Sequence, residues 1–387
     1  MPRSLGTRGV RGRTIIPKEI VYTSPRRPGR LQTPLIVGAT VLSVALFGGA
    51  LHWALPGLVG RSEPVHVDED ADTPSYAGDY LVGEAAWGLS TSRLARTICE
   101  TWTEEVDGVT FSEQVASDHL DPGAEFLALE REIDAPRNGA AYRNDVVLTH
   151  NTWYTRLREG TLDVLDGDPV REPENVMVLG NVSPLTLQYV VGADSDIHTL
   201  EDLAGTTALI AWEDPETLEL SDLVLLAAGL DPLAMDVTSG YDFDTHTPQQ
   251  VLIEGDVDVY VLLDEVGNAE LDHFERQGME PRVLEIPEEV VATVGRVDPS
   301  YTSLTVEAGT LPGHDGEVNM MASWETLYAH ADLDEDLAYE LVGAVYEDLG
   351  DRVPGQVTAT VEQALSGVAA DRVHPGAARY FSERGVL

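Results

Sequence analysis

The hydrophobic pattern of the chain begins with one uninterrupted apolar run, from Pro34 to Leu58, which contains no charged residue. At about 1.5 Å of rise per residue, a helix of this length crosses a hydrocarbon layer of roughly 30 Å with some tilt. The pattern therefore predicts a transmembrane helix over residues 34–59.

Charge is distributed unequally on the two sides of this run. Residues 1–61 hold nine Lys or Arg and one acid, whereas the rest of the chain holds 15 basic and 66 acidic residues. Basic flanks stay on the cytoplasmic side of a membrane. We therefore expect a single-pass cell-membrane protein with a cytoplasmic tail at 1–33, an acidic linker at 60–78 and an extracellular C-terminal domain at 79–387.

A cleaved export signal is the alternative interpretation of the N-terminal pattern. The apolar run is longer than the roughly 7 to 15 residues usual in such a signal, and no Ala-x-Ala site follows it cleanly. Cys99 is the only cysteine of the chain and lies far downstream, which excludes a lipid-anchor cysteine just after the run. The anchor is the preferred interpretation, and cleavage stays open.

Beyond residue 79, short apolar runs alternate with helical patterns. The first helix, capped near Ser90 or Thr91, places apolar residues at i+4 spacing on one face. Predicted strands lie at 80–83, 109–115, 145–149, 176–179, 185–191, 207–212 and 257–263. Predicted helices lie at 124–135, 195–205, 218–228, 247–255, 334–345, 357–368 and 374–385. This alternation predicts an α/β fold with a mostly parallel, doubly wound sheet.

The acidic composition indicates the conditions under which this domain stays soluble. The net charge is −43, and Lys18 is the only lysine. Such a surface repels itself unless salt screens it, and at molar salt the Debye length falls to about 3 Å. We expect a halophilic archaeon as the source. We also expect most of the acidic runs to lie on the solvated surface. A nucleic-acid partner is excluded, because a phosphate backbone requires a basic footprint.

Motifs for catalysis and cofactor binding are absent from the sequence. There is no GxSxG, HExxH, CxxC, P-loop or GxGxxG pattern, and no histidine pair at metal-ligand spacing on one helix face. Cys99 lies beside the apolar stripe of the first helix, where a lone thiol is more often packing than a nucleophile. We therefore predict no enzyme activity, no cofactor and no metal site.

The segment Val373–Leu387, with His374-Pro375-Gly376-Ala377 and then Tyr380-Phe381, resembles the C-terminal signature of the TAXI family. TAXI proteins are the extracytoplasmic solute-binding subunits of TRAP transporters. Weaker similarities follow in family order, in the Asp-Leu-x-Gly element at 202–205 and in the Tyr and Gly-Thr run at 301–313. The resemblance implies a two-lobed type II periplasmic-binding-protein fold, with lobe 1 at about 79–176 and 305–387 and lobe 2 at about 177–304.

The sequence departs from the TAXI pattern where a ligand should bind. Family members have Gly/Ser/Thr-rich turns at the first strand–helix junction and in the second lobe, where small residues let backbone amides approach a carboxylate. Here those turns hold Glu84, Asp214 and Glu216, which would oppose an anion. The candidate ligand-binding residues are Glu84, Trp87, Asn151, Trp153, Thr217 and Tyr301, of which Trp87, Asn151, Thr217 and Tyr301 are predicted to face a common cleft.

The resemblance implies capture of a small organic solute and its delivery to the membrane subunit of a TRAP permease. By family the solute is an amino acid or a carboxylate. The acidic turns instead favour a cationic or zwitterionic solute held by an aromatic clamp from Trp87, Trp153 or Trp212, since a ring face attracts a cation. An anchored sensor or assembly protein with a degenerate site is the first alternative, and an enzyme on this fold is the second.

Overall fold

A computed structural model describes residues 74–84, 89–115, 126, 129, 144–161, 174–211, 214–238, 247–267 and 269–387. The predicted tail and transmembrane helix, Trp87 and Trp212 lie outside these residues. None of the described helices is long and apolar enough to cross a membrane.

Ten strands in the described part of the chain form a single sheet. They are β1 Gly78–Glu84, β2 Val109–Val115, β3 Val146–His150, β4 Val176–Gly192, β5 Thr207–Ile210, β6 Asp236–Thr238, β7 Val259–Glu265, β8 Pro281–Val283, β9 Thr302–Val306 and β10 Val318–His330. The strand order is β2-β1-β3-β10-β4-β7-β5-β6, with β8 paired to β4 and β9 paired to β10.

The sheet is mixed, which corrects the prediction of a mostly parallel sheet. β1 pairs in parallel with β2 and β3, and β5 pairs in parallel with β6 and β7. The central pairs β3-β10, β10-β4 and β4-β7 are antiparallel. The prediction of an α/β fold is confirmed, and parallel pairing is restricted to the two flanks.

Helices pack against both flanks of the sheet. Those described are α1 Leu89–Glu105, α2 Asn151–Glu159, α3 Pro215–Ala227, α4 Pro248–Ile253, α5 Ala269–Arg276, α6 Glu288–Val294, α7 Glu335–Arg352 and α8 Pro375–Glu383. The predicted caps at Thr247, Asp334 and His374 are confirmed, and each side chain accepts a hydrogen bond from a backbone N–H of the first turn.

The long strands β4 and β10 connect two hydrophobic clusters. In β4, Leu179 and Val182 pack with α1, α7 and α8, whereas Leu187 and Tyr189 pack with α3, α6 and β5. β10 likewise contributes Leu327 to the first cluster and Met321, near its other end, to the second. The middle of both strands therefore lies between the two clusters.

β4 corrects the prediction of two separate strands at 176–179 and 185–191. The intervening Gly180 to Pro184 has the composition of a turn, but Asn181 finds partners for a buried extended conformation. Its amide donates to the carbonyls of Gln363 and Ser366, and its backbone N–H bonds to Ala364. These contacts also explain why the predicted helix at 357–368 is instead an irregular segment with a 3-10 helix at Val361–Gln363 followed by turns.

β9 and β10 lie in a stretch for which the sequence pattern predicts no strand, although β10 is a central strand of the sheet. The His-Pro-Gly-Ala motif begins α8, as predicted, and its glycine has a packing reason. A Cβ atom at Gly376 would collide with the backbone carbonyl of Glu335 at the start of α7.

Candidate functional site

Polar side chains line one face of the sheet where β1, β3 and β7 end. These strands end at Glu84, His150 and Glu265. Glu325, in the middle of β10, lies opposite both His150 on β3 and Ser183 on β4. Residues opposite each other in neighbouring strands share a face, and so do residues two apart on one strand. The cross-strand partners of Glu84 and Glu265 lie two residues along β3 and β4 from the partners of Glu325. Glu84 and Glu265 therefore lie on the same face as Glu325. We call Glu84, Glu265 and Glu325 the carboxylate row.

Two members of the carboxylate row are held by the first turns of α1. Ser92 Oγ donates to Glu84 Oε1 at 2.8 Å, and Thr91 Oγ1 donates to Glu325 Oε1 at 2.6 Å. Glu84 is 1 % exposed and Glu325 is fully buried. In the described part of the chain, the Oε2 atom of each carboxyl has no hydrogen-bond partner. Burial raises the pKa of both groups, and the hydroxyl bonds only partly offset it.

The third member of the row lies at the end of β7. Gln356 Nε2 donates to Glu265 Oε1 at 2.6 Å. Burial and then the charges of Glu325 and Asp264 raise the pKa of Glu265 to about 7. Burial also raises the pKa of the neighbouring Asp264 to about 7, although its carboxylate accepts a backbone N–H. This end of the row is therefore partly protonated at neutral pH.

A fourth buried carboxylate, Glu216, lies in the first turn of α3 and has a different environment. Thr152 Oγ1 donates to Glu216 Oε1 at 2.6 Å, and Trp153 Nε1 donates to Oε2 at 2.9 Å. His150 Nδ1 lies 3.8 Å from Oε2, within ion-pair distance but beyond a hydrogen bond. We call His150, Thr152 and Trp153, which lie at the start of α2, the Glu216 seat.

The Glu216 seat changes the protonation of both partners. Burial opposes the charged form of Glu216, but His150, Thr152 and the nearby Arg156 outweigh it and hold the pKa of Glu216 at about 2. Burial also favours neutral His150, but the Glu216 carboxylate raises the pKa of the imidazole. The Glu216 carboxylate and the His150 imidazole therefore each favour the charged form of the other, at the contact between α2 and α3.

Several of the predicted ligand-binding residues lie beside these two features with their polar groups in use. Asn151 donates to the carbonyl of Ser300 at 2.8 Å and accepts the N–H of Trp324 at 3.0 Å. Thr217 is buried and donates its hydroxyl to Asp214, the cap of α3, at 2.6 Å. Their contact with a ligand stays a prediction.

The predicted aromatic residues are also placed by the structure. Trp153 is buried and its ring stacks on His150, with centroids 4.5 Å apart, so one face is covered. Tyr301 is buried in the cluster around α3 and α6, where burial and then the charge of Glu216 raise its pKa. Glu84 is the only predicted residue within the carboxylate row. Trp87 lies outside the described residues, as does Trp212.

Sequence reasoning missed Glu325 and Glu265, which carry most of the row. A signal for Glu325 was present, since a lone acid stands within the apolar stretch Val318 to His330. A buried carboxylate is expensive unless it is partnered, so an acid inside a buried strand is a candidate functional group.

A cavity of about 430 Å³ lies beside α2, and its lining includes the predicted residue Asn151 but no member of the carboxylate row. It is lined by Tyr154, Tyr328 and Val368 together with Arg158 and Arg372. Both arginines have further interactions. The cavity is therefore more apolar and more basic than the row.

Comparison with known proteins assigns a family to the chain. The sequence model of the NMT1-like family matches residues 162–385, which is more than half of the chain. The chain belongs to the NMT1-like family. No curated protein matches the sequence significantly.

Solved structures with detectable similarity include three solute-binding proteins. A TctC solute-binding protein from Polaromonas, without ligand, has 14% identity and a TM-score of 0.43, covering 80% of this chain and 98% of that chain. The periplasmic binding protein BugD has 13% identity and a TM-score of 0.41, covering 80% and 94%. The periplasmic aliphatic sulphonate binding protein SsuA from Escherichia coli has 12% identity and a TM-score of 0.38, covering 80% and 93%. Membership in the NMT1-like family agrees with the prediction that the chain is not an enzyme.

Proposed function

We propose that the protein is the solute-binding subunit of a TRAP-type transporter of the TAXI class, and that it captures a small organic solute outside the cell. Membership in the NMT1-like family supports this proposal, as does the His374-Pro375-Gly376-Ala377 motif that begins α8. The energy for uptake would come from the membrane subunit of the permease, to which this chain delivers the solute.

One observation carries the proposal. The carboxylate row and the Glu216 seat lie where β4 and β10 run between the two hydrophobic clusters. In a two-lobed type II binding protein, with lobes at about 79–176 plus 305–387 and at 177–304, this location is the cleft that closes on a solute by a hinge. The buried polar groups there belong to side chains from both proposed lobes.

Anchoring, topology and source belong to the same proposal. A transmembrane helix at 34–59 with the N-terminus in the cytoplasm would keep the binding domain near its permease, which raises its effective concentration. Solvation of the acidic surface suits a halophilic archaeon. N-terminal sequencing of the protein extracted from membranes tests whether the helix is retained, and digestion of intact cells with protease tests which side the C-terminal domain occupies.

The test of solute binding is a thermal-shift screen of the full chain in mild detergent and molar KCl. The panel contains amino acids, dicarboxylates, betaines and polyamines. A solute at 100 times its Kd stabilises the folded domain by about 2.7 kcal/mol, or a shift of a few degrees. Absence of any shift, from protein shown to be folded by circular dichroism, would contradict solute binding.

An anchored sensor or assembly protein of the same fold is the second candidate. The Glu216 seat favours this candidate, because the Glu216 carboxylate accepts the hydrogen bonds that the donors at the start of α2 would otherwise offer to a ligand. If the seat replaces a ligand, the domain remains closed without solute. The same screen distinguishes the two candidates.

A further inference from the structure

Taking the proposed function as its starting point, we propose that the solute is an organic diamine, with one ammonium group between Glu84 and Glu325 and the other beside Glu265. The acceptor atoms for these ammonium groups are buried and have no donor in the described part of the chain.

The first ammonium position rests on the two Oε2 atoms of Glu84 and Glu325. Both carboxyls are almost fully buried, and each is oriented by a hydroxyl of the adjacent residues Thr91 and Ser92. Because these hydroxyls occupy Oε1, the two Oε2 atoms remain as acceptors without a partner among the described residues. A buried charged acceptor without a donor is costly, and an ammonium group has three donors to offer.

The second ammonium position rests on a similar group at the other end of the row. Ser323 Oγ is buried without a partner in the described part of the chain, and so is Oε1 of Gln356. Ser323 lies two residues before Glu325 on the same face, and Gln356 already holds Glu265 through its Nε2 atom. Two acceptors and one carboxylate therefore surround this end.

The spacing of the row favours two separate cationic groups over one. Glu84 and Glu325 lie on strands two apart, and so do Glu325 and Glu265. Neighbouring strands lie about 4.8 Å apart, so the backbones of the two residues in each of these pairs are separated by roughly 10 Å. Their side chains extend into the space between them from both sides. An aliphatic diamine of several methylene groups has the length and charge to follow such a row.

The surrounding charges favour a cation over an anion. Asp264 and the carboxylate row supply four acids, against which the charge of Arg96 acts on Glu84, that of Arg93 on Glu265 and that of His150 on Glu325 and Asp264. His150 is engaged with Glu216. Among the described residues, no three acidic, histidine or cysteine side chains converge to hold a metal ion. Binding of a metal ion is nevertheless one of the outcomes that the experiment tests.

The experiment measures binding to the full chain by calorimetry at pH 8 with probes of matched length. The probes are hexamethylenediamine, hexylamine, adipate, hexanediol and calcium chloride. We expect the diamine to bind more tightly than the monoamine, and the other three to bind weakly or not at all. Glu84→Gln and Glu325→Gln keep the size of each side chain, and each should weaken diamine binding at least about tenfold.

Two further variants keep the experiment decisive. Ser323→Ala removes only a hydroxyl and should reduce the advantage of the diamine over the monoamine while leaving monoamine binding unchanged. Glu347→Gln is the matched control, since Glu347 is an exposed acid on α7 paired with Arg384, and its diamine affinity should equal that of the wild type.

The outcomes separate this inference from the proposed function. Adipate or hexanediol as the tightest ligand would overturn the diamine assignment and leave solute binding intact. Calcium binding alone would overturn it in favour of a metal site. Equal binding of diamine and monoamine would overturn the second ammonium position. No binding of any probe, together with no hit in the wider solute screen, would overturn both proposals.

Discussion

The carboxylate row and the Glu216 seat contain the same chemical group, buried to a similar extent, with opposite consequences. Glu216 receives a hydroxyl and an indole N–H and lies beside an imidazole, and its pKa falls to about 2. In the row, each of Glu84 and Glu325 receives one hydroxyl bond, and their pKa values rise. The number of donors and the neighbouring charges decide the outcome.

The comparison assigns different roles to the two features. A carboxylate with a complete set of partners holds two elements together, as Glu216 does for α2 and α3. A carboxylate with an unpartnered oxygen costs stability in the empty protein, and the cost is recovered when a donor arrives. The row therefore has the properties of a binding site, and the seat has those of a closing contact.

The largest expected effect is that of Glu216→Ala. Removing this carboxylate leaves Thr152, Trp153 and His150 without their buried partner, and we expect the free energy of unfolding to fall by about 3 kcal/mol. Urea unfolding at pH 7 measures it. Glu219→Ala is the control, because Glu219 forms an exposed pair with Arg156 and should change stability by about 0.5 kcal/mol or less. Equal losses in both variants would remove the distinction between seat and surface.

The pH dependence of stability should show both features with opposite signs. Asp264 and Glu265 have pKa values of about 7 in the folded protein, above the ordinary 3.8 and 4.5. Because both carboxyls bind a proton more tightly in the folded protein, their contribution is full below pH 3.8 and is lost as pH rises through about 7. Glu216, with its depressed pKa, contributes above pH 4.5 and loses that contribution as pH falls toward 2.

Chemical unfolding between pH 3 and pH 8 tests this dependence. The groups that face Asp264 and Glu265 are Glu270, Glu325, His150 and Arg93, and none of them is altered in the double variant Asp264→Asn/Glu265→Gln. That variant should lose much of the decrease between pH 5 and pH 8. An unchanged profile would show that the decrease comes from the general acidic surface.

A smaller effect is expected for Thr152→Val, which removes one donor of the Glu216 seat and keeps the shape of the side chain. A hydrogen bond to a charged group contributes about 1.5 kcal/mol, and the free energy of unfolding should fall by about that amount. Thr155→Val, on the same helix, removes a hydroxyl that bonds only to a backbone carbonyl at 3.2 Å. A larger loss in Thr155→Val than in Thr152→Val would contradict the importance of the seat.

The smallest expected effect is a gain. Glu325→Gln removes a buried carboxylate that lies near Glu84 and Glu265, and like charges at short range oppose ionisation. At pH 8 we expect the empty protein to gain about 1 kcal/mol in the free energy of unfolding, as measured by urea unfolding. A loss as large as that of Glu216→Ala would mean that the row is a structural contact like the seat.

Elements whose stability is local were predicted well from the sequence. The apolar stripe of α1 is buried at Leu94, Ile98 and Trp102, as its i+4 spacing predicts. The N-terminal caps of α4, α7 and α8 are also where the sequence places them, because a cap is made by a side chain within a few residues of the backbone group that it binds.

Elements whose stability depends on distant partners were predicted poorly. The sequence of β4 contains a turn-like stretch that is extended only because Asn181 bonds to residues more than 180 positions away. β10 was not predicted, and it is the strand that pairs with β3, β4 and β9. Local propensity gives way to such pairing when the strand is buried on both faces.

The candidate site divides along the same line. By itself, the sequence determined an α/β chain with an acidic domain, the TAXI-like motif at Gly376, and the unsuitability of Glu84 and Glu216 for an anion, because each of these depends on composition or on neighbours in the chain. Only the tertiary structure decided that Glu325 and Glu265 join Glu84 in one row while Glu216 is satisfied by α2. The physical reason is that donors and acceptors from four strands and three helices meet there, and which carboxylate finds a partner depends on the register of the sheet.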